Sequence, residues 1–193
     1  MRAIIFRDEP YNRLSFIDLR DETEEMKWKI LEYHNQPWVL SHIAGSAFTR
    51  EQHIMFLENL SKIQRFHYIV YFDEHAIGKY SFDLKEDAVE NTGDYLFFEK
   101  DTMTGLGPLM HYAFLKHAYD DLGVKYIRFS VCRSNEMGVR NNVKRNKKLG
   151  IRLIGEDKDY YYFEHDLNSR LANRREMDEK LKVIFADFTY SVE

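Results

Sequence analysis

The stretch from Asp94 to Cys132 constrains the fold more than any other part of the chain. An aromatic, extended run, DYLFFEK (94–100), leads into a turn with two glycines one residue apart, TGLGP (104–108). From Leu106 the apolar period becomes helical. Leu106, Met110, Ala113, Phe114 and His117 share one face, and Gly123 closes the helix as a C-terminal cap. A strand, VKYIRFSVC (124–132), follows. Ile127, Phe129 and Val131 lie on one side of it, and Tyr126, Arg128 and Ser130 on the other. Strand, turn, helix and strand in close succession predict an α/β fold rather than a helical bundle.

The flanking segments extend this unit. RLSFIDLR (13–20) alternates as a strand, and 21–34 reads as a helix with Asp21 as N-cap and Met26, Ile30 and Tyr33 on one face. Gln36-Pro37 ends it, and 41–49 is a loop. Thr49-Arg50-Glu51-Gln52 is a capping-box pattern opening a second helix with an apolar stripe of His53, Phe56, Leu57 and Leu60. Strands at 67–73 and 76–84 form a hairpin. A short basic helix (137–148), strands at 151–154 and 160–165, a helix over 167–182 and one more strand within 183–192 complete the chain. The expected architecture is one domain over 1–166, a mixed sheet flanked by helices. Residues 167–193 extend it with an extra C-terminal helix that covers a sheet edge or a partner subunit of a homo-oligomer.

Composition bounds the function. At 193 residues and 44% hydrophobic, the chain has material for one real core. Its single cysteine, Cys132, permits no intrachain disulfide and no cysteine metal site, and fits a reducing cytoplasm. We expect no metal. No apolar run approaches the roughly 18–20 residues of a membrane span, and MRAIIFRDEP is not a secretory signal. A net charge of −4 excludes a general nucleic-acid footprint, although Arg140, Lys144, Arg145, Lys147 and Lys148 cluster. Most of these cations read as a solvated helix end.

Gly105 and Gly107 admit three readings. A dinucleotide fingerprint needs a third glycine where Met110 stands, and a nucleotide P-loop needs Lys-Ser/Thr where Pro108-Leu109 stand. Both fail. The third is an anion site in which unpaired N–H groups at a helix N-terminus meet a phosphate. Pro108 fits the first turn, where no N–H is missed.

Residues 13–166 resemble the GNAT superfamily of acyl-CoA-dependent N-acyltransferases. Its phosphate loop, Arg/Gln-x-x-Gly-x-Gly/Ala, is similar to Thr102–Gly107, with Thr102 departing from the leading residue. The resemblance implies that Thr104, Gly105, Leu106, Gly107, Pro108 and Leu109 form the cradle for the pyrophosphate of coenzyme A. It implies that the strand edge at Leu96, Phe97 and Phe98 bonds the pantetheine arm, that Asn135 meets the same arm, and that Arg140 or Lys144 meets phosphate oxygens. Three segments, 32–43, 48–60 and 156–167, look like amino-sugar N-acetyltransferases of the pseudaminic acid pathway. The co-substrate is then acetyl-CoA, and the acceptor a small-molecule primary amine such as a nucleotide-linked amino sugar. A protein N-terminus or another small amine is the alternative, and a non-catalytic acyl-CoA-binding module a third.

Acetyl transfer needs a neutral amine, a polarised thioester carbonyl and a proton for the leaving thiolate. Asp94, Glu99 and His34 are the candidate bases, with His111 a further one. Alternation puts Asp94, Leu96 and Phe98 on one face and Tyr95, Phe97 and Glu99 on the other, so the two carboxylates do not share a side. A strand N–H at 97 or 98 polarises the carbonyl. The superfamily's proton donor is a tyrosine in Tyr-x-Lys-x-Gly-Phe, but here the position is Asn146, and a count from Asn135 reaches Asn142. Solvent, Tyr160 or Tyr161 are the substitutes.

Overall fold

The computed structural model describes residues 3–8, 12–43, 45–102, 104–136, 138–140, 143, 150–167 and 189–192. Its elements run β1 (Ala3–Asp8), β2 (Asn12–Asp18), α1 (Glu24–His34), α2 (Pro37–His42), α3 (Arg50–Asn59), β3 (Phe66–Phe72), β4 (His75–Leu84), β5 (Ala88–Leu96), α4 (Leu106–Asp120), β6 (Tyr126–Cys132), β7 (Ile151–Glu156), β8 (Tyr160–Asp166) and β9 (Thr189–Val192). The strands form one nine-stranded sheet in the order β7-β8-β6-β5-β4-β3-β2-β1-β9. Every pair is antiparallel except β5 with β6, which α4 joins by a crossover. No helix among the described residues is long and apolar enough to cross a membrane.

The helices cover both faces. The apolar face of α4 lies on the centre of the sheet, where Met110, Ala113 and Phe114 are buried and Phe114 stacks on Tyr80 with ring centroids 4.0 Å apart. On the opposite face α1 and α3 enclose Leu19, Ile30, Leu60, Ile69 and Phe97. The expected capping box closes α3: Thr49 Oγ1 accepts from Gln52 N, and Gln52 Oε1 accepts from Thr49 N.

Several expectations change. Thr23, not Asp21, caps α1, because its hydroxyl sits three residues before Met26 and accepts that N–H at 3.1 Å. Asp21 instead ends a 3-10 turn at Leu19–Asp21. α1 ends at His34 as expected, with Gln36 extended ahead of Pro37, and Pro37 then opens a further helix, α2, at its first position, where a missing N–H costs nothing. β1 was not expected, since its apolar residues run consecutively without alternation; pairing with β2 and β9 makes it a strand. β5 starts at Ala88 rather than Asp94. A bulge at Asn91, with φ 51°, breaks the period-2 signal there. Of the basic helix expected over 137–148, residues 138–140 and 143 are helical, and Glu136 precedes them in the helix; the rest, with Lys144, Asn142 and Asn146, lies outside the described residues, as do residues 168–182 of the expected C-terminal helix. Strand β9 joins the main sheet through β1.

The bulge also positions the site. β5 and β6 pair from Ala88↔Tyr126 to Thr92↔Phe129 and no further. β5 then continues to Leu96 and β6 to Cys132 with a gap opening between them.

Candidate active site

The splay between β5 and β6 holds a cleft of about 440 Å³. Asp94 and Tyr95 of β5 and Val131 and Cys132 of β6 form its long walls. Gly107 and His111 close it from α4, and His42 and Ile43 from the end of α2. Groups from both faces of the sheet therefore reach one space.

The glycine turn opens on this cleft. Gly105 is the N-cap of α4 with φ 85°, a left-handed conformation that side chains with a Cβ rarely adopt. Thr104 N–H is bound to Asp101 O, Leu109 N–H to Gly105 O, and Pro108 has none. Gly105 and Gly107 N–H have no partner among the described residues, and Leu106 N–H has only a long 3.4 Å contact to Thr104 Oγ1. The donors available to an anion thus narrow from 104–109 to 105–107. A Cβ on Gly107 would meet only Leu96 Cδ1, at 3.5 Å, so the backbone there is open to a ligand.

The strand edge narrows likewise. Phe97 N–H donates to Ile77 O at 2.9 Å, and its ring is fully buried and stacked on Tyr33. Phe97 therefore serves the core and offers nothing to the cleft. Alternation turns the backbone of Leu96 and Phe98 toward the open side instead. Asn135 lines the cleft and caps the following helical turn, its Oδ1 accepting from Gly138 N at 2.8 Å. Its Nδ2 has no hydrogen-bond partner among the described residues. Arg140 stands exposed in that turn.

Of the three candidate bases, only Asp94 lines the cleft. Asp94 is open to solvent on the cleft wall, and the partial loss of hydration there raises its pKa to about 6. Glu99 lies on an exposed 3-10 turn, Glu99–Asp101. His34 stacks on Phe48 at 4.2 Å and meets Tyr95 edge-on, one layer behind the wall. Desolvation lowers its pKa, partly offset by its hydrogen bond with Ser46 O. His111 does reach the cleft.

Among the proton-donor alternatives, Tyr160 lines the cleft, opposite Cys132 in the β6–β8 register. Burial, then the Cys132 thiol and nearby carboxylates, raise its pKa, so it stays protonated. Tyr161 points elsewhere, its hydroxyl held by Arg133 Nη1 at 3.1 Å. Cys132 is half-buried on the cleft wall with Sγ 3.0 Å from Ser134 Oγ.

Two groups had escaped the sequence reading. Tyr95 places a buried hydroxyl with no partner among the described residues beside the cleft. Lys79, opposite Tyr95 in the β4–β5 register, lies over the Phe56 ring with its ammonium 5.6 Å from the centroid. Desolvation, then Arg65, push its pKa down to about 8. The alternation of Lys79, Ser81 and Asp83 along β4 was the available signal. Among the described residues, no group of three or more His, Cys, Asp or Glu side chains is placed to hold a metal ion.

This fold is shared with solved N-acetyltransferases. The chain superposes on the N-acetyltransferase PseH of Campylobacter jejuni in complex with acetyl coenzyme A with a TM-score of 0.59 and 20% identity, covering 80% of this chain and 99% of that one. It superposes on AAC(6')-Ib in complex with paromomycin and acetyl-CoA with a TM-score of 0.65 and 15% identity, covering 88% and 97%. In sequence it is 22% identical to the C. jejuni acetyltransferase PseH over 149 residues, 77% of this chain and 88% of PseH. No protein-family profile matches it.

Proposed function

We propose that the protein transfers the acetyl group of acetyl-CoA to a primary amine of an amino sugar, by direct attack with both substrates bound. The observation that carries this reading is the juxtaposition at the splay. Two N–H groups with no partner among the described residues, Gly105 and Gly107, and the weakly held Leu106 N–H lie at the N-terminus of α4 and open on a cleft where β5 and β6 no longer pair. The helix end favours the pyrophosphate, the edges of Leu96 and Phe98 suit the amides of the pantetheine arm, and the Asn135 amide faces the same arm. Acetyl-CoA supplies the activated acyl group as a thioester.

The chain's own groups then divide the proton work. Asp94, ionised above about pH 6, takes a proton from the acceptor ammonium, directly or through water. The neutral amine attacks the carbonyl carbon, whose oxygen is met by backbone N–H at Phe98. The C–S bond breaks, the attacking nitrogen releases its surplus proton to water, and Tyr160 gives its proton to the thiolate and recovers one from that solvent. Tyr160 thereby replaces the tyrosine that Asn146 lacks.

The acceptor side favours a sugar nucleotide over a polyamine. Lys79 is a cation with no carboxylate in hydrogen-bond reach among the described residues, and Arg65 stands near it. Their positive charge repels a polyamine and attracts a phosphate. The experiment is release of free coenzyme A thiol over amino sugars, nucleotide-linked amino sugars, peptides and polyamines. Turnover confined to the sugars is expected. Acetyl-CoA binding without turnover on any amine would favour a non-catalytic module, and absence of binding would remove both readings.

A further inference from the structure

A second cavity, of about 330 Å³, opens on the sheet beside the cleft. It shares Phe129 and Ser130 with the cleft, so the two spaces meet on β6. We infer that this cavity seats an uncharged polyhydroxylated ring, the pyranose of the acceptor, and that its amine is presented across Ser130 to the splay. The inference rests on the acetyl-transfer reading and names the acceptor subsite that reading leaves open.

Charge decides the ligand class. Arg128 donates Nε to Glu164 Oε2 at 2.9 Å and Nη1 to Glu90 Oε1 at 2.5 Å. Arg152 donates Nε and Nη2 to Glu164 Oε1. Two cations balance two carboxylates, which leaves no net charge to hold a phosphate. What remains is a fixed set of neutral-ligand contacts. A guanidinium has five N–H donors, and Arg128 spends only two on these carboxylates. Asn91 gives its Nδ2 to Asp83 at 2.7 Å and keeps its Oδ1 as an acceptor. Ser130 adds a hydroxyl. Hydroxyl groups both donate and accept, so a ring bearing several satisfies a mixed set where an acceptor-only phosphate or an alkyl chain does not.

The aromatic wall fits the same ligand. Tyr162 donates its hydroxyl to Asp157 Oδ2 at 2.6 Å, which pins the side chain and leaves the ring to cover an apolar C–H face. Glu164 is only 5% exposed and bound on both oxygens, so the floor is rigid before any ligand arrives. The volume lies at the lower end of small-ligand sites, roughly 300–1,000 Å³. It has room for one ring, so any nucleotide attached to that ring lies outside it.

Two variants test this. Tyr162→Ala removes the wall. Gly155→Val fills the cavity from β7, where an added Cβ meets only Tyr162 Cδ2 at 3.9 Å. Saturation-transfer NMR on the full chain would use hexosamines with the amine at C2, C3, C4 or C6, alongside calorimetric titration with acetyl-CoA. We expect at least one hexosamine to show ring-proton saturation, and both variants to weaken it tenfold or more with acetyl-CoA affinity kept within twofold. Unchanged hexosamine affinity in either folded variant overturns the inference, as does a wild-type protein that binds acetyl-CoA and no hexosamine. Failure to bind acetyl-CoA instead strikes the acetyl-transfer reading on which the inference depends.

Discussion

Replacing Gly107 by Asp separates the coenzyme cradle from an ordinary helix start. Gly107 is the second residue of α4, after the Gly105 cap and Leu106. A carboxylate there sees the positive end of the helix dipole, which favours the folded state by roughly 0.3–1 kcal/mol. The space allows it, since the new Cβ meets only Leu96 Cδ1 at 3.5 Å. A pure turn should therefore tolerate Asp, with Tm unchanged or slightly raised. A pyrophosphate cradle should not. At an effective dielectric near 20 and a separation of about 6 Å, two unit charges repel by about 3 kcal/mol, about a hundredfold in Kd. The pyrophosphate carries more than one charge, so a hundredfold is the smaller expectation. Gly107→Ala is the control for bulk and should lose much less. Calorimetric titration with acetyl-CoA reads the affinity, and a melting curve reads the fold. The defect should shrink as salt rises, because the carboxylate sits at the cleft mouth. If Gly107→Asp keeps its fold and binds acetyl-CoA within threefold of wild type, the cradle does not lie at residues 105–107.

Three other perturbations follow from the site. Asp94 has a folded pKa of about 6, so kcat/KM should rise with pH through that value as the base form appears; Asp94→Asn should remove the limb and lower kcat by about 10²-fold. A limb that survives in the variant assigns the base elsewhere. Tyr160→Phe should lower kcat tenfold or more with acetyl-CoA Kd within twofold, whereas Tyr161→Phe should change neither; equal effects from both would remove Tyr160 as donor. Lys79 has its folded pKa lowered to about 8, so its charge opposes folding at every pH below that and ceases to do so as pH rises past its unfolded value. Lys79→Met should then raise stability at pH 7 by about 2 kcal/mol in denaturant melts and weaken binding of a nucleotide-linked acceptor. A destabilised variant would show that Lys79 has a compensating partner.

Local chemistry explains which parts of this molecule could be read in advance. Gly105 and Gly107 were legible because a left-handed cap and an open backbone are demands that only glycine meets well. Thr49 and Gln52 were legible because a capping box depends on a fixed three-residue spacing. The start of β5 was hidden by its own bulge at Asn91, the same irregularity that begins the splay. The candidate base could be narrowed only in space. Asp94, Glu99 and His34 can each accept a proton, and the cleft separates them by placing one on its wall and two away from it. Lys79 and Tyr95 could not be paired from sequence, because which residues face each other across β4 and β5 depends on register.

The pairing of β9 with β1 has a consequence for how the chain is made. Ile4 finds its partner in Val192, across almost the whole sequence. A ribosome releases β1 early, and β2 can cover only one of its sides. Its other side stays uncovered until residues 189–192 have emerged, after both strands of the β5–β6 splay have already been synthesised. For that interval the nascent protein carries a cleft that can be complete and a border that is not, and an unpaired border invites strands from neighbouring chains. Truncation before residue 189 should therefore cost solubility before it costs chemistry.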